Sequence, residues 1–417
     1  MKKVLIFSLA YFPKHVGGAE VAIKEITDRI DDIQFDMISL RLAPNDSHEE
    51  VYGKVRVFRV GFPGFLGKMM APLTALLKTW QLSRRGRYDA FWVMMVTYIG
   101  GAPYAFNMLH PWQKTPILLT LQEGDSEAHI EGKTFGGLGV LWRILLTPLT
   151  YLSNVPHASS RGLIAVAWSL ALSRSAFVQT ISTYLKERAF AYGYRGPIEV
   201  VPNAVNTAHF TQKFSTENVA ETKRELGKDA SSIFLVTTSR LVTKNAVDDV
   251  IRALPLIPEE VRFVVFGAGP DLENLQKLAT ELHVSHRVLW FGQITHEDMP
   301  RYLNACDIFI RASRSEGMGN SFVEAMAAGI PVVATQEGGI ADFLFDEKRN
   351  PEKPTTGWAV DKDAPDQIAA AVRDILARRE KVQEVVQTAR AMVIEKYDWN
   401  LIARDMREKV FKPLLGE

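Results

Sequence analysis

The sequence predicts an α/β protein built from two doubly wound domains in tandem. The chain has 417 residues, which exceeds the size at which one hydrophobic core usually stops growing, so two domains of roughly 200 residues are expected. Short apolar runs rich in β-branched and aromatic residues alternate with amphipathic stretches in both halves. This alternation is typical of a parallel sheet wrapped by helices.

The first half opens with an apolar run over residues 2–10 that reads as a buried strand. Lysines precede the run, as they would in a secretory signal, but Pro13 and Lys14 interrupt it and no small-residue cleavage pattern follows. A glycine pair then forms a loop ahead of a helix over residues 19–30, whose apolar residues recur at three-to-four spacing. Further strands are predicted at residues 88–96, 115–122 and 175–182.

The second half repeats this plan more clearly. Predicted strands cover residues 232–241, 261–269, 287–294, 306–313 and 330–335, and predicted helices cover residues 246–254, 271–282, 297–305, 320–329 and 366–379. Between the halves, residues 198–210 contain Pro202 and Asn203 without a helical period and form the predicted linker. A doubly wound sheet binds ligands outside the carboxyl ends of its strands, and two such sheets facing each other would form a cleft.

The charge and composition of the chain limit which kinds of ligand and which cellular compartment are expected. The chain carries 49 basic and 48 acidic side chains, a balance that argues against a general nucleic-acid binder. Its single cysteine, Cys306, excludes an intramolecular disulfide framework and favours a reducing, cytoplasmic compartment. The scattered histidines show no metal-ligand spacing, so no metal site is predicted. Apolar stretches at residues 137–152 and 163–172 are interrupted or too short to span a bilayer, which needs ~20 residues.

Two groups of residues follow strands of the second half and could bind an anion. Arg240 and Lys244 lie at a strand end just ahead of a helix, where cations and helix amides suit a diphosphate, although solvated surface charges explain them equally well. Gly267 and Gly269 lie in the next strand-to-helix turn, but the third glycine of the dinucleotide fingerprint is absent, so an NAD site is poorly supported. A tight turn explains these two glycines as well as a phosphate loop does.

The stretch RSEGMGNSFVEAMAAGIPVVAT, from Arg314 to Thr335, is the most informative part of the sequence. Its glycines allow backbone amides to approach an anion, and the helix that follows directs its N-terminus to the same place. Glu316 lies in the loop and Glu324 in the first turns of the helix. The acid and base of a glycosidase would need both carboxylates across one sugar ring, whereas these two should lie at different depths. Different depths suit different parts of one extended ligand.

This stretch resembles the E-x7-E motif of the retaining family 4 glycosyltransferases. The similarity covers nearly the whole chain and includes the segments HVGGAE, VVPNAVNTAHF, SRLV, FGAGP, FGQITHEDMPRYLNACDIFIRAS and YDWNLIARDM. The resemblance implies the GT-B architecture, in which two Rossmann-like doubly wound domains face each other across a cleft. It implies an acceptor-side domain of residues 1–206, onto which residues 397–417 cross back to pack, and a nucleotide-sugar-binding domain of residues 207–396.

The resemblance also assigns residues to parts of a nucleotide-diphosphate sugar. It implies that Glu324 holds the ribose hydroxyls, that Glu316 contacts the transferred sugar, and that Arg240 binds the diphosphate. Gly17 and Gly18 match the loop that closes over the diphosphate and borders the acceptor. The other predicted donor-binding residues are Gly267, Gly269, Gly319, Asn320 and Ser321.

Two positions depart from the family pattern. The family's phosphate-binding lysine falls five residues after the arginine, where this chain has Asn245, and Lys244 lies one residue earlier. Lysine is long and flexible, so Lys244 could still reach the diphosphate, or Asn245 could bind it instead. Family members commonly have a histidine where this chain has Gln122, which can hydrogen-bond a sugar hydroxyl but cannot take a proton. The predicted acceptor side consists of Gln122, Glu123 and Asp125.

The segment of residues 65–87, FLGKMMAPLTALLKTWQLSRRGR, combines apolar residues with five cations. A core helix with a solvated end explains the segment without any special function. The alternative is peripheral contact with anionic lipid or with a lipid-linked acceptor, which would hold a cytoplasmic protein at the inner face of the membrane.

The predicted function is retaining, metal-independent transfer of a sugar from a nucleotide-diphosphate sugar to a hydroxyl of a saccharide or lipid-linked acceptor, in glycan or glycolipid synthesis. No cofactor beyond the donor is predicted, since cations and helix amides are expected to stabilise the departing diphosphate. A silent nucleotide-sugar-binding protein is the alternative, and only the shifted lysine and Gln122 favour it. A phosphorylase of similar fold would need a cofactor-bearing lysine and a much longer chain.

Overall fold

A computed structural model describes residues 1–14, 16–97, 99–124 and 163–417, which form two compact units. The first unit contains Met1–Asn203 and Trp399–Glu417, and the second contains Ala204–Asp398. The apolar stretch at residues 137–152 and the predicted acceptor residue Asp125 lie outside the described residues. Within the described ranges, no helix combines the length and the apolar character needed to cross a membrane.

The described part of the first unit is built on a mostly parallel sheet of eight strands. The strands are β1 (Lys2–Phe7), β2 (Ile33–Leu40), β3 (Glu49–Tyr52), β4 (Val55–Val60), β5 (Ala90–Met94), β6 (Ile117–Leu121), β7 (Phe177–Thr180) and β8 (Ile198–Val200). Their order is β3-β4-β2-β1-β5-β6-β7-β8, and only β3 and β4 pair antiparallel. The central strands are almost wholly buried, as expected for continuous apolar runs covered by helices on both faces.

Among the described residues of this unit, six helices precede the linker. They are α1 (Gly18–Thr27), α2 (Phe65–Met69), α3 (Ala71–Arg85), α4 (Gly101–Leu109), α5 (Leu163–Ser173) and α6 (Thr183–Ala191). Helix α1 follows β1 directly and buries Ala22, Ile23 and Ile26, which recur at helical spacing. The sequence pattern therefore fixes which face of α1 packs on the sheet.

The second unit has a parallel sheet of six strands. The strands are β9 (Ile233–Thr238), β10 (Val261–Phe266), β11 (Val288–Gly292), β12 (Ile308–Arg311), β13 (Val332–Thr335) and β14 (Trp358–Val360). Their order, β11-β10-β9-β12-β13-β14, is the 3-2-1-4-5-6 order of Rossmann-type sheets. The direction of winding reverses between β9 and β12, so the carboxyl ends of these two strands mark the place where such a sheet binds ligands.

Eight helices accompany this second sheet. They are α7 (Thr207–Phe210), α8 (Thr216–Glu225), α9 (Val247–Ala253), α10 (Leu272–Glu281), α11 (Met299–Ala305), α12 (Asn320–Ala328), α13 (Pro365–Ala377) and α14 (Arg379–Lys396). The sequence predicts a single helix over residues 366–379, but the structure ends α13 at Ala377 and begins a second helix at Arg379. One apolar cluster, which includes Phe263, Val265 and Ile310, joins the sheet to these helices.

The C-terminal segment belongs to the first unit. It consists of α15 (Trp399–Asp405), a π-helical stretch (Met406–Phe411) and α16 (Lys412–Leu414). Phe411 is fully buried and packs its ring 5.3 Å from that of Trp92, centroid to centroid. Arg29 Nε donates to Asn400 Oδ1 at 3.0 Å, which ties the segment to the turn that follows α1. The last residues of the chain thus complete the core of the first unit.

Candidate functional site

Two loops of the second unit meet where its sheet order reverses. Residues 239–246 follow β9, and residues 312–319 follow β12 and lead into α12. The amide of Arg314 donates to the carbonyl of Lys244 at 2.7 Å, and Arg314 Nη1 donates to the carbonyl of Thr243 at 2.6 Å. The structure therefore brings the cations predicted after β9 and the glutamates predicted after β12 to one edge of the sheet.

Arg240, Lys244 and Asn245, in the loop after β9, differ in exposure and in contacts. Arg240 is exposed, and its guanidinium forms no ion pair with any residue that the structure describes. Asn245 is only 5% exposed, and its Nδ2 donates to the carbonyl of Arg240 at 2.6 Å. Lys244 is half-buried beside it. Asn245 therefore closes the loop, while the charge of Arg240 faces solvent.

Close packing of the backbone requires glycine at both positions after β10. A Cβ atom on Gly267 would lie 1.8 Å from the carbonyl oxygen of Ser239, and one on Gly269 would lie 2.1 Å from that of Leu241. No side chain can be accommodated at such distances, so both positions require glycine. The turn after β10 is thereby pressed against the loop that carries Arg240.

The loop after β12 holds Glu316 in a defined orientation. Its Oε2 accepts a hydrogen bond from Nη2 of Arg311 at 2.8 Å, and its Oε1 accepts one from the amide of Gly317 at 3.1 Å. A Cβ atom on Gly338 would lie 1.9 Å from the carbonyl oxygen of Glu316, so the next loop along the chain also packs closely here. Glu316 is thus a mostly buried carboxylate that is fixed on two sides.

Helix α12 begins at this loop and carries the second glutamate. Gly319 precedes the helix with a φ of +85°, a left-handed conformation that favours glycine, and Asn320 and Ser321 form the first turn. Glu324 lies one turn further along, and its Oε1 is 3.1 Å from Nε2 of His296. The two glutamates therefore have different partners.

Arg311 links the two glutamates electrostatically. Burial lowers the pKa of the Arg311 guanidinium, and the charges of Glu316 and Glu324 oppose that shift. Sequence reasoning missed Arg311, although a charged residue at the end of the apolar run CDIFI was a visible signal. It also missed His296, for which no signal stands out in the sequence.

Arg314 anchors the same loops to α9 from the other side. Its guanidinium pairs with Asp248 at 2.9 Å, with Asp249 at 2.9 Å and with Asp363 at 2.6 Å. Burial, assisted by the neighbouring charge of Asp248, raises the pKa of Asp249 to about 6, and Arg314 opposes this shift. Arg314 is therefore occupied by structural contacts. The paired aspartates Asp248 and Asp249, in the first turn of α9, were its only sequence signal.

The predicted residues of the first unit lie after β1 and β6. Gly17 and Gly18 are exposed at the start of α1, and the amide of Gly17 donates to Glu20 Oε2 at 2.9 Å. Gln122 exchanges amide hydrogen bonds with Asn203 at 3.3 and 3.4 Å. The carbonyl of Glu123, the neighbour of Gln122, accepts from Arg188 Nη1 at 3.4 Å. The structure thus gives Gln122 a partner within its own unit.

Among the residues that the structure describes, no cluster of three or more His, Cys, Asp or Glu side chains could hold a metal ion. The charged groups at the sheet edge of the second unit are instead arginines paired with carboxylates, together with Arg240. Chemically, this edge offers an exposed cation, a helix N-terminus and two carboxylates that can accept hydrogen bonds.

The sequence matches two protein-family models that together cover most of the chain. Residues 17–204 match the model described as Glycosyl transferase 4-like domain. Residues 218–392 match the model described as Glycosyl transferases group 1. The two matches fall on the first and the second unit, respectively.

Known proteins agree with these matches. The GDP-mannose-dependent alpha-(1-6)-phosphatidylinositol monomannoside mannosyltransferase of Mycobacterium tuberculosis is 29% identical over 306 residues, which cover 68% of this chain and 76% of that enzyme. The phosphatidylinositol N-acetylglucosaminyltransferase GPI3 subunit of Saccharomyces cerevisiae is 30% identical over 210 residues, or 50% of this chain and 44% of that subunit. The crystal structure of Anabaena HepE in complex with UDP and glucose superposes with a TM-score of 0.74 at 19% identity, covering 99% of this chain and 100% of that one.

The two Rossmann-like sheets and the similarity to HepE define the GT-B fold. The chain belongs to the family 4 glycosyltransferases. The predictions of the family, of the GT-B fold and of a glycosyltransferase enzyme are confirmed.

Proposed function

We propose that this enzyme transfers a glycosyl group, with retention of configuration and without a metal ion, from a nucleotide-diphosphate sugar to a hydroxyl of a membrane lipid. One observation carries the donor part of this proposal. At the reversal point of the second sheet, an exposed arginine, a helix N-terminus and two separately held carboxylates share one edge. This is the place and the set of groups that an extended anionic nucleotide requires.

Each part of the donor has a matching group. Glu324 can accept hydrogen bonds from the two ribose hydroxyls in exchange for its contact with His296. Arg240 and the first amides of α12 can donate to the diphosphate. Glu316, held from behind by Arg311, keeps lone pairs for a hydroxyl of the transferred sugar. The assignment uses the two carboxylates for binding rather than as an acid and base.

The chemistry then depends on stabilising the leaving group. The bond between the anomeric carbon and the phosphate oxygen breaks, the acceptor oxygen bonds to the same face of that carbon, and the acceptor proton passes to the departing phosphate. Negative charge grows on the diphosphate during this step. Arg240, Lys244 and the helix amides stabilise that charge, so neither a protein nucleophile nor a metal is needed.

The relatives suggest which donor to test first. The mycobacterial relative uses GDP-mannose, and its match extends over 68% of this chain. The structural neighbour HepE was crystallised with UDP and glucose, at a lower identity of 19%. We therefore propose GDP-mannose as the donor, with UDP-glucose as the comparison.

A surface of the first unit supports a lipid acceptor. Large apolar side chains of α2, α3 and the preceding turn are exposed, and they are Phe62, Phe65, Leu66, Met69, Met70, Leu73, Leu77 and Trp80. We call these residues the α2–α3 face. The buried side of α3 carries the small residues Ala71 and Ala75 and one large apolar residue, Leu82. Leu73, Leu77 and Trp80 lie on the exposed side of the helix, outside the core. An apolar patch this long is unusual on a soluble surface and indicates an interaction site.

The charge around the α2–α3 face indicates what it contacts. Residues 65–87 contain five lysines and arginines and no acidic residue, whereas the three cations of residues 51–64 are paired with Asp31, Asp36 and Glu50. Arg84 stacks its guanidinium 3.5 Å from the ring centre of Trp80, so cation and apolar surface are adjacent. A basic helix with exposed Leu and Trp side chains suits an anionic bilayer, to which each cation near the surface can add ~1 kcal/mol. The relatives whose names specify phosphatidylinositol acceptors agree with a membrane substrate.

The function is tested by binding and by transfer. A thermal-shift screen of GDP, UDP, GDP-mannose and UDP-glucose should show stabilisation of about 2.7 kcal/mol at a hundred times the dissociation constant of the true donor. Radiolabelled donor should then label an inositol phospholipid extract, and NMR of the product should show the anomeric configuration of the donor. Donor binding with neither transfer nor slow hydrolysis would instead identify a silent binding protein.

Membrane contact is tested by flotation with vesicles of phosphatidylcholine containing phosphatidylglycerol. The wild-type protein should float at low salt and be released by high salt. Leu73→Ser combined with Leu77→Ser should stay at the bottom of the gradient. Ile394→Ser, which removes a similarly exposed apolar side chain from the second unit, is the matched control and should float like the wild type. Loss of flotation in all three proteins, or in none, would contradict the proposed surface.

A further inference from the structure

Arg311 occupies an unusual position for a charged residue. It is the last residue of β12, a central strand between β9 and β13, and only 6% of its side chain is exposed. A buried guanidinium is costly unless its donors are paired. A sheet that needed only packing here would have an apolar residue, as the rest of β12 does.

The guanidinium of Arg311 satisfies three separate acceptors. Its Nε donates to Ser313 Oγ at 3.1 Å, its Nη1 to Ser321 Oγ at 2.9 Å, and its Nη2 to Glu316 Oε2 at 2.8 Å. Its carbon centre also lies 4.2 Å from the ring centre of Phe322. One side chain therefore bridges the strand, the loop after it and the first turn of α12.

The direction of these bonds has a chemical consequence. Arginine can only donate, so the oxygen of Ser321 must act as an acceptor toward it. The hydroxyl proton of Ser321 is then left to be donated elsewhere, and Ser321 is the second residue of α12, at the positive end of the helix. Glu316, by contrast, can only accept hydrogen bonds from a ligand. One of its oxygens already accepts a hydrogen bond from Arg311, and the remaining lone pairs are acceptors.

The close approach of Gly319 places Arg311 directly behind the loop. A Cβ atom on Gly319 would lie 3.0 Å from Nη2 of Arg311 and 2.5 Å from the ring of Phe322. The guanidinium therefore packs directly against the backbone at the start of α12, whose first amides are proposed to bind the diphosphate. It is too buried to be the primary phosphate ligand itself.

We propose that Arg311 is a positioning residue of the donor site, which fixes Glu316 as an acceptor toward a sugar hydroxyl and directs the Ser321 hydroxyl proton toward the sugar-linked phosphate. The inference rests on the proposed function, in which Glu316 and the first turn of α12 meet the donor. It adds that Arg311 acts on the sugar end of the donor through these two side chains. The nucleoside end, at Glu324, should not depend on it.

A double-mutant cycle tests the proposal. Arg311→Lys keeps the charge but loses the fork that reaches three acceptors at once. It should lower single-turnover transfer by about tenfold while changing the dissociation constant of the free nucleoside diphosphate less than about twofold. In the Glu316→Gln background, Arg311→Lys should lower transfer by much less than that. Additive losses in the double mutant would overturn the proposed action through Glu316.

Arg287→Lys is the matched control for burying a lysine in this unit. Arg287 is also buried, but it donates to the backbone carbonyls of Val261, Leu254 and Pro258 and to the carboxylate of Glu259, all away from α12. This control should lower the melting temperature without changing transfer by the folded protein. A transfer loss equal to that of Arg311→Lys would show that the effect of Arg311 is merely structural.

Ser321 gives a second, milder readout if Arg311→Lys does not fold. Ser321→Ala should lower transfer several-fold, and Ser321→Thr, which keeps the hydroxyl, should restore it. Wild-type turnover in Ser321→Ala would overturn the proposal. Failure of the wild-type protein to bind any nucleotide sugar would instead refute the proposed function, so the two failures are distinguishable.

Discussion

Replacing Asn245 by alanine separates the two explanations of the shifted lysine. The Asn245 side chain is buried, and its Nδ2 donates at 2.6 Å to the carbonyl of Arg240, which also accepts from the amide of Val242 at 3.0 Å. Because that carbonyl keeps its second partner, the loss should lie near the lower end of the 1–3 kcal/mol range for a broken buried bond, at about 1 kcal/mol. For a unit of this size, that corresponds to a fall of about 2–4 °C in melting temperature.

Lys244→Ala should show the opposite pattern. Lys244 is half-buried and is not the residue that closes the loop, so its truncation should change stability by less than about 0.5 kcal/mol. If its ammonium meets the diphosphate, one charge-assisted hydrogen bond is lost as charge develops. That loss of roughly 1.5–3 kcal/mol corresponds to a roughly ten- to hundredfold fall in single-turnover rate.

Both variants are compared by scanning fluorimetry and by single-turnover transfer, in which product release cannot mask the chemical step. Asn304→Ala is the matched control, because Asn304 Nδ2 also donates to a backbone carbonyl, that of Pro300 at 2.9 Å, on α11. It should reproduce the thermal shift of Asn245→Ala without any change in rate. Unchanged melting together with the larger rate loss in Asn245→Ala would refute the reasoning and place Asn245 on the diphosphate.

Three further predictions follow from the same geometry. Glu324→Ala should weaken binding of the free nucleoside diphosphate by about tenfold or more, because contacts to the ribose are lost. Glu316→Ala should lower turnover more than it lowers this affinity. Equal losses of affinity in the two variants, measured by calorimetry, would contradict the assignment of Glu324 to the ribose and Glu316 to the sugar. Asp249, whose pKa is raised to about 6, holds a proton in the folded state that the unfolded chain releases, so folding loses stability as pH rises from about 4 to 6. The free energy of unfolding of Asp249→Asn, measured in urea, should therefore rise by up to about 3 kcal/mol relative to that of the wild type between about pH 4 and 6. A difference between the two proteins that does not vary with pH would contradict the pKa shift. Chelator should leave transfer intact, and loss of activity restored by magnesium or manganese would disprove metal independence.

The fold was predictable because each central strand is a continuous apolar run, which can be recognised from the local sequence alone. Strands β9, β10 and β12 are buried on both faces and read as continuous β-branched and aromatic runs. The break between α13 and α14 was not predictable, since residues 377–380 contain neither glycine nor proline. It depends on how each helix packs, which local propensity does not encode.

The candidate site was predictable only where its residues are close in sequence. Glu316 and Glu324 share a loop and a helix, so their spacing alone indicates two depths. The partners of Arg314 lie 66 residues before it, at Asp248, and 49 residues after it, at Asp363. Such a contact exists only once the sheet has brought β9, β12 and β14 together. The role of Asn245 was hidden for a related reason, because a sequence does not show that an amide is buried against its own loop.

Some cations of this chain are paired with carboxylates and others are not. We therefore expect the donor site and the α2–α3 face to respond differently to salt. Arg311 and Arg314 are held by carboxylates, so they shape the donor site without lending it their charge. In the proposed function, the diphosphate is bound by Arg240, Lys244 and neutral helix amides, which act by directed hydrogen bonds at short range. The five cations of residues 65–87 form no ion pair with any residue that the structure describes, so they should act through their summed field. Salt screens such a field far more than it screens partly buried hydrogen bonds, so ionic strength should release the protein from vesicles well before it weakens donor binding.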